Sequence, residues 1–235
     1  MTDLFLKTYP GDSEWLPYLF RSIDKFCEGF RYLVVVCPKS MKLPKCKLPV
    51  VRHDREESDR PYLTQQAHKL YADIYSSADT ILHVDSDCVF IRPVCPESFC
   101  DHGVPIWLMT PWKEIDQGCI AAWFPVMLKF FGGDAPPHEM MRRHPQMIPR
   151  WLYPELRGYC LGLHGISLWD YIDKQEGRAF SEFNIAGRFA QKFHEGRFAF
   201  RDTTKDSFPP DYVRQFWSYG GIEEVRPIIE TLLAA

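Results

Sequence analysis

The chain has 235 residues, 46% of them hydrophobic, which is enough to bury one substantial core and fits a single α/β domain. A formal net charge of -3 withholds the broad basic face that a nucleic-acid partner requires, and no apolar stretch approaches the ~20 residues of a membrane span. Eight cysteines without a CxxC pair argue against structural zinc; with no charged-then-apolar leader, they read as reduced thiols of a cytoplasmic protein. Aromatic residues make up 15% of the chain, more than a minimal core needs, so some rings are expected to line a groove for a planar or sugar-like ligand.

Leu4 to Thr8 is a short apolar strand, and Tyr9-Pro10-Gly11-Asp12 turns the chain towards Ser13, a helix N-cap with Glu14 in the first turn. Trp15, Leu19, Ser22, Ile23 and Phe26 recur at helical spacing until Gly29 stops the helix. The β-branched run Tyr32 to Val36, ended by Pro38, predicts a strand buried on both faces of a parallel sheet. Lys39, Lys42, Lys45 and Lys47, interrupted by leucines and prolines, read as a solvated loop. Val50-Val51 predicts a short third strand, and the charged stretch from Asp54 to Arg60 a loop before a second helix from Tyr62 to Ser77. At about 100° per residue that helix carries Leu63, Ala67, Leu70 and Ile74 on one face and Gln66, Lys69 and Asp73 on the adjacent one. Thr80 to Val84 is a buried strand running directly into Asp85-Ser86-Asp87, at the strand end where open α/β sheets bind ligands.

Farther on, Ile106 to Met109 predicts a strand, Gly132-Gly133 and Pro136-Pro137 a loop, and Pro154 to Tyr159 and Phe183 to Phe193 two helices. Glu223 to Leu233 has a helical apolar pattern interrupted early by Pro227. No repeat, low-complexity tract or linker separates these segments.

Asp85 and Asp87, one residue apart after a buried strand, can both reach one hard cation such as Mg²⁺ or Mn²⁺ if the backbone turns there, and the small Ser86 permits that turn. The segment Ile81 to Pro93, ILHVDSDCVFIRP, resembles the DxD element of GT-A glycosyltransferases. Thr8 to Asp12 resembles the loop that lies along the nucleotide in those enzymes, and Gln65 to Leu70 resembles their QQxxKL helix. Phe180 to Gly187, FSEFNIAG, is similar to the FSEYExYG element of a bacterial and viral group of glycosyltransferase-like proteins.

The resemblance implies a single GT-A (Rossmann-like) domain over residues 1-235, with a mostly parallel central sheet flanked by helices. Residues 1-110 would form the nucleotide-sugar-binding half and 111-235 the acceptor-side half. It implies a nucleotide-sugar donor with Mn²⁺ or Mg²⁺. Asp87 would be the direct metal ligand, Asp85 a ribose or metal contact beside Ser86, and Lys69 with Gln66 would face the phosphates. Thr8, Tyr9 and Asp12 would contact base and ribose.

Inversion at the anomeric carbon needs a base for the acceptor hydroxyl, a role that falls to Glu182. Asn184 stands where the group has a second carboxylate, so it would orient a sugar hydroxyl, and Ala186 replaces the later tyrosine. His194 would complete the metal shell.

Simpler roles compete for several of these residues. They include a Lys69–Asp73 surface pair, an exposed helix-start Glu182, a helix-end His194 and a core Trp107. Trp112 and Trp217 are further candidates for sugar stacking. His138, His144 and His164 occupy the central region, and Arg142-Arg143 beside His144 would approach phosphate or an acidic acceptor.

Three other functions fit parts of the sequence. Asp85-Ser86-Asp87-Cys88-Val89 also fits the nucleophile motif of haloacid-dehalogenase-like phosphatases, although that motif normally follows the first strand. A sugar nucleotidyltransferase would need a Gly-rich loop that Leu4 to Asp12 lacks. A non-catalytic sugar- or nucleotide-binding module would tolerate Asn184 and Ala186. The acceptor, whether saccharide, glycolipid, protein or modified nucleobase, is not encoded in these motifs.

Overall fold

A computed structural model describes residues 1–56, 58–134, 137–141, 145–206 and 211–234. In chain order the elements are β1 (Thr2–Lys7), α1 (Leu16–Phe26), β2 (Leu33–Pro38), β3 (Val50–Arg55), α2 (Pro61–Leu70), β4 (Thr80–His83) and β5 (Cys88–Phe90). Then come β6 (Cys100–Asp101), β7 (Val104–Pro111), α3 (Gln117–Phe130), β8 (His138–Glu139), β9 (Gln146–Pro149), α4 (Leu152–His164) and α5 (Leu168–Asp173). Last are α6 (Glu182–His194), β10 (Ala199–Asp202), β11 (Val213–Gln215) and α7 (Arg226–Ala234).

The central sheet has the order β3-β2-β1-β4-β9. Its first four strands are parallel and β9 closes the β4 edge antiparallel. The chain winds outward from β1 to β3, then returns through α2 to place β4 on the other side of β1. That reversal opens a crevice beyond the carboxyl ends of β1 and β4, where α/β sheets bind ligands. Asp12 follows β1 and Asp85 to Asp87 follow β4.

Alternation along the strands explains why helices cover both faces. Leu4, Leu6, Leu33, Val35 and Leu82 point to one side and pack with α1 and the Ile229 and Leu233 side chains of α7. Phe5, Val34, Val36 and Ile81 point to the other, against α2, α4, α5 and α6. A smaller layer joins β7 in parallel to β10 and antiparallel to β6 and β8, while β11 lies antiparallel on β5. Among the described residues no helix is long and apolar enough to cross a membrane, and seven cysteines are free thiols.

Several expected boundaries move for physical reasons. Ser13 does not cap α1; its hydroxyl folds back on the Pro10 carbonyl, closing a 3-10 turn over Pro10–Asp12. β3 extends to Arg55, taking in three charged residues, Arg52, Asp54 and Arg55, that its exposed edge position tolerates. α2 stops at Leu70, short of Ser77, and a separate 3-10 turn follows. Asp73 there forms a two-pronged pair with Arg157 of α4 rather than meeting Lys69. α7 starts at Arg226, so Pro227 sits in its first turn, where a missing N–H costs nothing. Pro136, Arg142, Arg143 and His144 lie outside the described residues.

Gly187 of α6 sits where a Cβ would come within 2.8 Å of the Trp107 ring and 2.7 Å of the Met140 sulfur. Trp107 is fully buried on β7 and donates its indole N–H to the Met140 carbonyl, so the ring cannot simply swing aside. Gly187→Ala is expected to destabilise the fold by about 1–3 kcal/mol in urea unfolding, as overpacking does, although alanine is the better helix former. An unchanged midpoint would mean that the Trp107 contact yields without cost.

Candidate functional site

The crevice at the sheet's carboxyl edge is a cleft of about 590 Å³. Its walls carry Tyr9, Asp12, Tyr62, Lys69, Asp85 and Asp87 from the first half of the chain, and Trp123, Arg178, Gln215 and Trp217 from the second. Gly11 allows this wall to form, because a Cβ there would lie 2.5 Å from the Tyr9 ring that folds back over the turn.

Lys69 is the pivot of the acidic side. Its ammonium is 2.6 Å from Asp85 Oδ1 and 2.7 Å from Glu182 Oε1, over the Phe183 ring at 5.0 Å. Burial opposes its charge, but the two carboxylates overrule that and hold the amine protonated. Burial likewise pushes Glu182 upwards and the ammonium opposes it; at 2.7 Å we read the pair as ionised. Gln66, also buried, accepts from the Glu182 backbone N–H at 2.9 Å. It thereby satisfies an α6 N-terminal donor that Ser181 leaves uncapped.

Around this pivot the remaining acids lack cations of their own. Asp12 is 4% exposed; Ser86 Oγ donates to its Oδ2, while Oδ1 is buried without a partner. Burial raises the Asp12 carboxyl, and Asp85 adds to the rise. Asp87 accepts from Ser218 N at 2.9 Å and Gln215 Nε2 at 3.2 Å. It is nevertheless pushed up to about 6, first by burial and then by the Asp85 charge. Lys7, beneath the turn, donates to the Thr8 carbonyl at 2.8 Å. Among the described residues, four carboxylates (Asp12, Asp85, Asp87, Glu182) stand against the ammonium groups of Lys7 and Lys69 and, at the cleft mouth, the Arg178 guanidinium, so acids outnumber cations.

That excess of acids at the inner end suits a divalent cation, and the orphaned Asp12 Oδ1 and raised Asp87 fit one physically. Among the described residues no three His, Cys, Asp or Glu side chains are disposed to hold a metal between them. A cation here would therefore draw the rest of its shell from ligand oxygens and water, as Mg²⁺ commonly does.

The structure thus brings Tyr9, Asp12, Gln66, Lys69, Asp85, Ser86 and Asp87 to one cleft. Other expected residues are placed elsewhere. Thr8 is buried behind the wall, its hydroxyl without a partner. Glu182 is 0% exposed, sealed behind Lys69, and cannot meet an acceptor hydroxyl in this arrangement. Asn184 is equally buried: its Oδ1 accepts from Met140 N at 2.6 Å and its amide donates to Ser181 Oγ at 2.9 Å, so it staples α6 to the β8 region.

His194 is at the opposite end of α6, about 18 Å along the axis from Glu182. There it pairs with Glu155 at 2.8 Å and meets the Trp151 ring edge-on, which rules it out of the metal shell. His138 faces Asp202 and His164 meets the Phe130 carbonyl. Trp112 packs on Phe124. Of the three tryptophans singled out, Trp217 alone lines the cleft, 54% exposed and at φ 52°, a conformation that costs a bulky residue of order 1–3 kcal/mol. Tyr62, Trp123 and Arg178 were not foreseen, because each comes from a segment whose local pattern carries no signal for the cleft.

The Asp87 environment has a signed consequence for stability. An unfolded aspartate titrates near ~3.9, so the folded chain binds this proton more tightly. Asp87 therefore favours the fold at low pH and opposes it as pH rises through about 4 to 6. In EDTA, Asp87→Asn should be more stable than the parent at pH 7 by an amount on the order of 2–3 kcal/mol. The gap should close below about pH 4 in a series of urea melts. Lower stability of the variant at pH 7 would contradict this account of the site. No protein-family model matches the chain, and no curated protein does.

Proposed function

We propose that this chain is a metal-dependent glycosyltransferase with a single GT-A type domain, moving a sugar from a nucleotide-sugar donor to an acceptor hydroxyl. The observation that carries the reading is the acid-rich, ring-walled cleft at the switch point between β1 and β4, with Asp85 and Asp87 on its floor. When bound, Mn²⁺ or Mg²⁺ supplies positive charge that steadies the departing nucleoside diphosphate. Asp87, with Asp12 beside it, would hold that cation. Lys69 keeps Asp85 ionised and fixed, and Tyr9, Tyr62, Trp123 and Trp217 offer ring faces to base or sugar and exclude water. The reading includes a cytoplasmic compartment.

One observation favours a second reading, a non-catalytic nucleotide-sugar-binding module: Glu182, the expected base, is sealed from the cleft. Inverting transfer through Glu182 is accordingly not part of the proposal. Donor turnover separates the two readings, since a transferase slowly passes its sugar to water and a module does not.

The expected result is thermal stabilisation by several degrees with saturating nucleoside diphosphate in Mn²⁺, abolished by EDTA and by Asp87→Ala, together with slow donor hydrolysis. Stabilisation without hydrolysis would select the module. No response to any nucleoside diphosphate in Mn²⁺ would remove both.

A further inference from the structure

Among the described residues two cations line the cleft, Lys69 and Arg178, and they are not equivalent. The Lys69 ammonium is 2% exposed and committed to two carboxylates, so it has little left for an incoming anion. Arg178 is exposed and forms no ion pair with any described residue. Its guanidinium lies over the Tyr62 ring, 5.4 Å from the centroid, and its charge is felt by the Tyr9 hydroxyl on the same wall.

The arginine is also held in place. Its carbonyl accepts from Trp123 Nε1 at 3.0 Å, and two residues on, the Phe180 carbonyl accepts from Tyr62 OH at 2.8 Å. Gly177 before it takes φ 52°, a turn that favours glycine. Trp123 and Tyr62 therefore fix the backbone of the α5–α6 connection at the cleft mouth, and the head group remains free. A planar fork on an aromatic ring is pre-organised for a two-pronged grip on phosphate or carboxylate.

We propose that Arg178 is the anion-recognition residue of this cleft and takes the outer phosphate of a bound nucleoside diphosphate, the part first assigned to Lys69. The inference rests on the nucleotide reading above. It gives the cleft two electrostatic ends, acids at Asp12 and Asp87 and a cation at Arg178. A diphosphate carrying a metal ion matches that polarity.

The test is calorimetric titration, in Mn²⁺, of UDP, GDP, UMP and GMP into the parent, Arg178→Gln and Arg178→Lys, with UDP-glucose and UDP-glucuronate as further ligands. Unchanged melting temperatures confirm that the variants are folded. Arg178→Gln should weaken the diphosphates at least about 10-fold and the monophosphates less than about 2-fold, erasing the parent's preference for the second phosphate. Arg178→Lys should keep part of that preference.

Equal diphosphate affinity in parent and Gln variant overturns the proposal, as does an equal loss for mono- and diphosphates. A loss confined to UDP-glucuronate would reassign Arg178 to a sugar carboxylate and overturn the phosphate role. If the parent itself binds neither UDP nor GDP, the nucleotide reading fails and takes this inference with it; a failure seen in the variant alone spares that reading.

Discussion

The buried contact of Lys69 with Asp85 and Glu182 joins three elements that the sequence keeps far apart: α2, the turn after β4 and the first residue of α6. A lone ammonium at that depth would lose its proton or unfold the site, and a lone carboxylate would do likewise. Together they are tolerable, and the tolerance is geometric. The ammonium must sit between the two oxygens, so α2 and α6 have little freedom to slide past the sheet. Gln66 reinforces the same junction by accepting from the α6 N-terminus. Asp85 is thereby fixed in position and charge without any ligand.

Asp12 and Asp87 are handled differently. They receive hydrogen bonds from Ser86, Gln215 and Ser218 but no cation of their own, and their carboxyls sit above the ordinary range. Hydrogen bonds orient a carboxylate; they do not cancel its charge against a neighbouring acid. The same pocket thus contains one settled acid and two unsettled ones. Stability is withheld where a cationic ligand would restore it, a common trade at functional sites.

The central sheet was legible because its signal is local and strong. The runs around Leu4, Val34 and Leu82 are dominated by aliphatic residues, and the acidic triplet follows the third of them directly. α2 was legible for its apolar face, yet Lys69 and Gln66 read equally well as solvent-facing, because burial by a distant element leaves no mark on helical spacing. The same limit hid α3, which carries an internal Pro125 and apolar residues on every side, so no 3.6-residue stripe appears. β9 was hidden because its four residues pair only with β4, from far away in sequence. Glu182 was expected to act on the acceptor hydroxyl and Asn184 on a sugar hydroxyl, whereas their partners Lys69 and Met140 hold both inside the scaffold.

Order of synthesis adds a consequence of the β5–β11 pairing. A chain emerging from the ribosome presents the Asp85–Asp87 turn and the edge of β5 long before Val213–Gln215 exists to cover them. Until then β5 offers unpaired backbone groups, and Asp87 lacks the Ser218 and Gln215 donors. The nascent N-terminal sheet must therefore wait with an open, acid-rich edge. Its charge is itself a safeguard in that interval, since strands flanked by like charges resist pairing with their copies on neighbouring chains.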